Sequence, residues 1–139
     1  MLAIITIIII LFQAGVVVSR GFRYDLNELI DEFYRNLEDV AIEIDEKGFT
    51  AINIVSLVLH FVYFLYFVYM YLQNFIVIEI LMIVGFTIFL DAIIEQQFLQ
   101  KLKIGKKFSI GENRIYSNIV TFNNIIQMAV LFLILMELI

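Results

Sequence analysis

Residues 50–97, TAINIVSLVLHFVYFLYFVYMYLQNFIVIEILMIVGFTIFLDAIIEQQ, decide the fold. Two apolar runs, at about 50–72 and 75–97, are parted only by Gln73-Asn74. At about 1.5 Å per helical residue, each run is long enough for a hydrocarbon core of about 30 Å. A connection this short predicts an antiparallel helical hairpin. Working outward, the same composition returns in a span at about 2–18, centred on Ile7-Ile8-Ile9-Ile10, and in another at about 117–139. The reading is an all-α integral membrane protein, one membrane domain over residues 1–139 with four transmembrane helices.

Composition supports that class. Hydrophobic residues make up 63% of the chain and mean hydropathy is +0.97, against about 45–50% apolar residues in ordinary globular proteins. Cysteine is absent, which excludes disulfides, thiolate metal sites, cysteine nucleophiles and palmitoylation. Proline and tryptophan are absent too. Helices free of proline kinks follow, with Tyr and Phe left to form the interfacial belt.

All nine Lys and Arg residues fall between apolar spans. Arg20, Arg23, Arg35 and Lys47 occupy one stretch; Lys101, Lys103, Lys106, Lys107 and Arg114 occupy the other. Four spans put both stretches on one side. The positive-inside rule makes that side the cytoplasm of a prokaryotic plasma membrane, or the equivalent face of an organellar inner membrane. Residues 19–49 and 98–116 are then cytoplasmic, and both termini lie outside. The first span lacks a positive region before it and has arginines after it, as expected of an uncleaved anchor rather than a signal peptide. Only Met1, the Gln73-Asn74 turn and the C-terminus are left on the far side, so no external domain is expected.

Residues 25–46 predict a cytoplasmic amphipathic acidic helix between the first two spans. Leu26, Leu29, Ile30, Phe33, Leu37, Val40, Ala41 and Ile44 recur on one face. Asp25 and Glu28 suit a capping box, Tyr24 and Leu29 a hydrophobic staple, and Lys47-Gly48 a stop. The opposite face is acidic: Glu28, Asp31, Glu32, Glu38, Asp39, Glu43, Asp45 and Glu46. An anionic lipid surface would repel it. Its apolar stripe therefore needs a protein surface, either its own bundle or a partner docking on Leu26, Leu29, Ile30, Phe33, Leu37, Val40 and Ile44. A basic loop at about 99–114 carries Lys101, Lys103, Lys106 and Lys107. It serves as topology anchor, as contact for the acidic helix, or as a site for anionic lipid. Its glycines do not form a phosphate-binding loop, and nucleic-acid binding has little support.

Polar groups inside the spans form the candidate ion, proton or inter-helix site: His60, Glu79, Asp91, Glu95, Asn123, Asn124 and Gln127. Ionisable residues within a membrane cost about 2.5–3.5 kcal/mol at mid-helix on insertion scales and mark function by default. Asp91 and Glu95, four apart, share a face, as proton or cation handling would require. The bland alternatives are interfacial acids bonded to loops, and a neutral His60 bonded to a neighbouring helix. One histidine cannot supply both axial ligands of a haem, and no cofactor or metal site is expected. Tyr63, Tyr66 and Tyr69 continue a stripe from His60, as core packing, interfacial belt or a surface for a flat ligand. The amides of 118–127 cannot face lipid unsatisfied. If they share an inner face with Asp91 they favour transport; if they point outward they favour a subunit contact.

Tyr63-Phe64-Leu65-Tyr66-Phe67, then Gly85-Phe86-Thr87 and Ile93-Ile94, is faintly similar to the central hairpin of the PsiE family of small four-helix membrane proteins. The resemblance covers a minor part of the chain and implies no mechanism.

No nucleophile sits beside a plausible base, so enzyme activity is not expected. The leading expectation is a non-catalytic accessory or scaffold subunit of a larger membrane complex, docking through its helices and the acidic helix. The alternative is an oligomeric proton- or cation-handling channel or transporter component. Membrane lipids, with other subunits or further copies of the chain, are the expected partners.

Overall fold

The computed structural model describes residues 1–19, 25–40 and 46–139, with side chains for 1–15, 25–37 and 46–139. Among the described residues the chain is all-α, with no strand. The helices are α1 (Leu2–Ser19), α2 (Leu26–Val40), α3 (Glu46–Leu72), α4 (Ile78–Ile104) and α5 (Ile110–Leu138).

The hairpin forms where residues 73–74 predict it. Asn74 adopts φ 62°, a left-handed conformation its short polar side chain tolerates. Its N–H reaches the Tyr71 carbonyl at 2.9 Å and the Phe75 N–H reaches that of Met70 at 3.0 Å. These two bonds are a Schellman closure, which satisfies carbonyls that the helix end would otherwise strand.

A second Schellman closure ends α4. Gly105, at φ 71°, and Lys106 donate to Leu102 and Lys101. The expected basic loop is thereby shortened. Lys101 and Lys103 lie on α4, and only residues 105–109 separate it from α5. Nothing before Gly105 interrupts the helix, and Ser109 starts the next one at once. Its hydroxyl accepts from the Glu112 N–H at 3.2 Å and contacts the Glu112 carboxylate at 3.2 Å. Ser109 thus caps α5 through its hydroxyl, in a Ser-x-x-Glu pattern legible in the sequence.

The acidic helix also differs from expectation. It is described to Val40, and residues 41–45 lie outside the described residues. Lys47-Gly48 is not its stop, because Glu46, Lys47 and Gly48 form the first turn of α3. Glu46 favours that start, since a carboxylate is stabilised at a helix N-terminus. The Asp25 cap is present, accepting from the Glu28 N–H at 3.1 Å. Tyr24, the other half of the staple, lies outside the described residues.

α3 runs along α4, α4 along α5, and α5 along α1. Side-chain bonds from α1 to α3 close the ring: Thr6 to Tyr66 at 2.6 Å and Gln13 to Tyr63 at 2.8 Å. Phe67, Met70, Val84, Ile88, Leu131 and Ile134 fill the interior toward the α3–α4 turn. Gly85 permits the close approach of α3, because a Cβ there would stand 2.9 Å from Phe64 Cε2. Outside, large apolar side chains are exposed, among them Leu59 and Phe61 of α3, Phe86 and Phe89 of α4, and Phe122 and Ile125 of α5. α3 and α5 are long and apolar enough to cross a membrane.

α2 packs across the other end of the bundle. Leu26 and Ile30 are buried with Ile94 and Leu102 of α4 and with Phe108. Burying two such side chains is worth about 1.5–3 kcal/mol each. The exposed ion pairs nearby contribute at most about 1 kcal/mol each. The apolar seam therefore holds α2 in place.

Candidate functional site

Asp91, near the middle of α4, receives two amides from α5. Asn123 Nδ2 donates to Asp91 Oδ1 at 2.8 Å and Gln127 Nε2 donates to Oδ2 at 2.9 Å. Their four-residue spacing stacks both on one face of α5. The same amides anchor to Thr87, Asn123 through the Thr87 carbonyl at 3.2 Å and Gln127 through its hydroxyl at 3.1 Å. That hydroxyl spends its own proton on the Val84 carbonyl, leaving it an acceptor for Gln127. Asp91 is thus a carboxylate stabilised between two helices by neutral donors, the arrangement that makes an ionisable group tolerable away from water.

The network extends to α1 and α3. Gln13 Nε2 donates to Gln127 Oε1 at 3.1 Å and to the Tyr63 hydroxyl at 2.8 Å. Gln13 Oε1 is buried and has no hydrogen-bond partner among the described residues. One helical turn from Asp91, Glu95 stands with Oε2 3.2 Å from His60 Nε2, while His60 Nδ1 lies 2.8 Å from the Ser56 carbonyl. A carbonyl only accepts, so Nδ1 carries a hydrogen. Nε2 is then the ring nitrogen that faces the Glu95 carboxylate across the α3–α4 interface.

A cavity of about 410 Å³ opens onto these groups. His60, Tyr63, Asp91, Glu95, Gln13, Asn124 and Gln127 supply its polar wall. Phe12, Ile88, Ile94, Phe98 and Val120 supply the apolar wall, and Leu26 and Leu29 of α2 close one end. No Lys or Arg is among the described residues that line it.

Known protein families, curated proteins and solved structures yield no match to this chain. The faint PsiE similarity therefore carries no assignment, and the chemistry rests on the site alone.

Of the polar residues singled out in the sequence, His60, Asp91, Glu95, Asn123 and Gln127 come together, and Asn124 lines the same cavity. Glu79 does not join them. It is exposed in the first turn of α4, about 18 Å along the axis from Asp91. No group of three or more potential metal ligands forms among the described residues. Along the Tyr63–Tyr66 stripe both hydroxyls bind α1, Tyr63 also lines the cavity, and Tyr69 is exposed. Thr6, Gln13 and Thr87 were missed by the sequence reading. Each is a polar residue set within an apolar run, the same signal that marks His60.

The docking residues of α2 face inward. Leu26 and Ile30 are buried, Leu29 and Phe33 pack on the same cluster, and Leu37 is half-buried. The Val40 side chain and Ile44 lie outside the described residues. The first two N–H groups of α2 are bonded to side chains of α5. Leu26 N–H donates to Ser117 Oγ and Asn27 N–H to Asn113 Oδ1, at 3.2 and 3.0 Å. The Asn27 side chain pairs both ways with the Phe108 backbone, at 2.8 and 3.0 Å, and Tyr34 donates to the Leu102 carbonyl. Among the four lysines, Lys107 meets Asp31 at 2.7 Å and Lys103 meets Glu46 at 3.2 Å. Lys101 lies 5.7 Å from the Phe108 ring centroid, and Lys106 is exposed.

Proposed function

We propose that this protein is a four-span membrane protein, with both termini external, that handles a proton or small cation at the Asp91–Glu95–His60 cluster within an oligomer. A prokaryotic plasma membrane, or an organellar inner membrane, is its expected location. The observation that carries this reading is the inward turn of Asn123 and Gln127 onto Asp91. Amides serving only as subunit glue would gain nothing from converging on a carboxylate, whereas a charge-handling site needs one kept ionisable among helices. The adjoining His60–Glu95 pair offers a second group able to exchange a proton, one helical turn away on α4. Four helices alone rarely enclose a complete path, which argues for an oligomer.

The test is flux in reconstituted vesicles under an imposed proton or potassium gradient. Asp91→Asn with Glu95→Gln should lower flux at least tenfold relative to the wild-type chain. Unchanged flux in correctly folded protein would sink the reading.

A second reading, an accessory subunit of a larger complex, is favoured by Asn118. This exposed amide lies at one end of an apolar groove between α4 and α5, near Ile119 and Phe122. An amide facing lipid calls for a partner. Native mass spectrometry of gently extracted protein separates the two: unlike subunits in fixed ratio support the accessory role, and copies of one chain support ion handling.

A further inference from the structure

We infer that the cavity beside Asp91 binds an organic ammonium ion carrying an aromatic or aliphatic group, rather than a bare metal ion. The inference rests on the proposed ion-handling site and names its substrate class. Three features of the cavity converge on that chemistry.

The first is charge. Asp91 and Glu95 both face the cavity, with His60 as the one basic group lining it among the described residues. One imidazole can offset at most one of the two carboxylates, which leaves the other to balance a cation. The second is hydrogen bonding. Asp91 uses one lone pair on each oxygen for Asn123 and Gln127, and each oxygen has a further one to offer. These are acceptors that call for N–H donors, as an alkylammonium supplies.

The third is the remaining wall. A bare cation requires about six oxygen ligands or retained waters, yet much of this surface is hydrocarbon and aromatic. Phe12, Tyr63 and Phe98 present ring surface within the same cavity as the carboxylates, suited to a cation–π contact and to an apolar substituent. A volume of about 410 Å³ falls within the range of small-molecule sites, about 300–1,000 Å³. The cavity reaches the surface beside Phe12, which is 74% exposed, and Glu95, whose side chain is 40% exposed. A lipophilic cation partitioned into the bilayer has a route to the carboxylates there.

The chain has no tryptophan, so an indole probe reports without background. Tryptamine, cationic at pH 7, is titrated against the full chain in lipid nanodiscs by fluorescence anisotropy, beside the neutral isostere tryptophol. Tryptamine should saturate at one site per chain and bind at least tenfold more tightly than tryptophol, with Asp91→Asn removing that preference. The comparison of the two probes on the wild-type chain needs no variant to fold. Equal binding of both probes, or no saturable tryptamine binding, overturns the inference. If potassium or proton flux depends on Asp91 and is not inhibited by tryptamine, the ion-handling site stands and the ammonium assignment falls. If flux is independent of Asp91 while tryptamine still binds selectively, the ammonium site stands without the transport role.

Discussion

His60 and Glu95 face one another at 3.2 Å across the α3–α4 interface, and the other imidazole nitrogen of His60 is committed to the Ser56 carbonyl. The ring is therefore oriented before any proton moves. It is held as histidines are when the second nitrogen is anchored by a backbone acceptor.

This arrangement predicts a single tautomer. His60 is the one histidine of the chain, so a 15N-labelled sample gives one imidazole. Its Nδ1 should carry the hydrogen, because the Ser56 carbonyl it faces can only accept. A neutral ring protonated at Nε2 and bare at Nδ1 would contradict the geometry.

Gln127 stands at the centre of the polar network, with bonds to Asp91, Thr87 and Gln13. Gln127→Leu keeps much of the volume and removes all three. Leaving buried groups unpaired costs about 1–3 kcal/mol, so the variant should melt measurably lower in detergent. Gln13→Leu should be less than additive with it, since the two share a bond. Full additivity would mean that the Gln13–Gln127 contact contributes nothing.

α2 should stay docked in the wild-type chain. With no native cysteine, Ile30→Cys gives a unique probe at a position only 2% exposed. Maleimide labelling should be slow, and at least tenfold faster when Asn27→Leu removes the paired bonds to Phe108. Lys107→Gln should change it little, because an exposed ion pair adds at most about 1 kcal/mol. Immediate labelling of the otherwise native chain would instead mark this face as open for a partner.

Gly85 is a packing requirement of the hairpin. A methyl group there meets the Phe64 ring at 2.9 Å. Gly85→Ala should therefore force the ring aside, at a cost of about 1–3 kcal/mol. Phe64→Leu in the same chain should recover part of that loss. If Gly85→Ala alone is neutral in thermal unfolding, α3 and α4 have more freedom than this contact allows.

The helical class, the tight 73–74 turn and the segregation of charge follow from the amino-acid order alone. Those depend on composition and on local rules: apolar runs of membrane length, an asparagine able to take the left-handed conformation, and lysines and arginines confined to two stretches. That order also singles out Asp91, Glu95, His60, Asn123 and Gln127, since a polar residue in an apolar run stands out without a structure. Their partners are set by how the helices pack. Whether Asn123 and Gln127 face lipid, a subunit or Asp91 depends on the rotation of α5 about its axis, and side-chain packing along the whole helix sets that rotation. The same holds for α2, whose apolar stripe demands a cover without naming one. Leu102, Phe108 and Ser117 provide that cover from positions about 70–90 residues away in sequence. Periodicity reports which face of a helix is apolar; it carries no information about what that face meets.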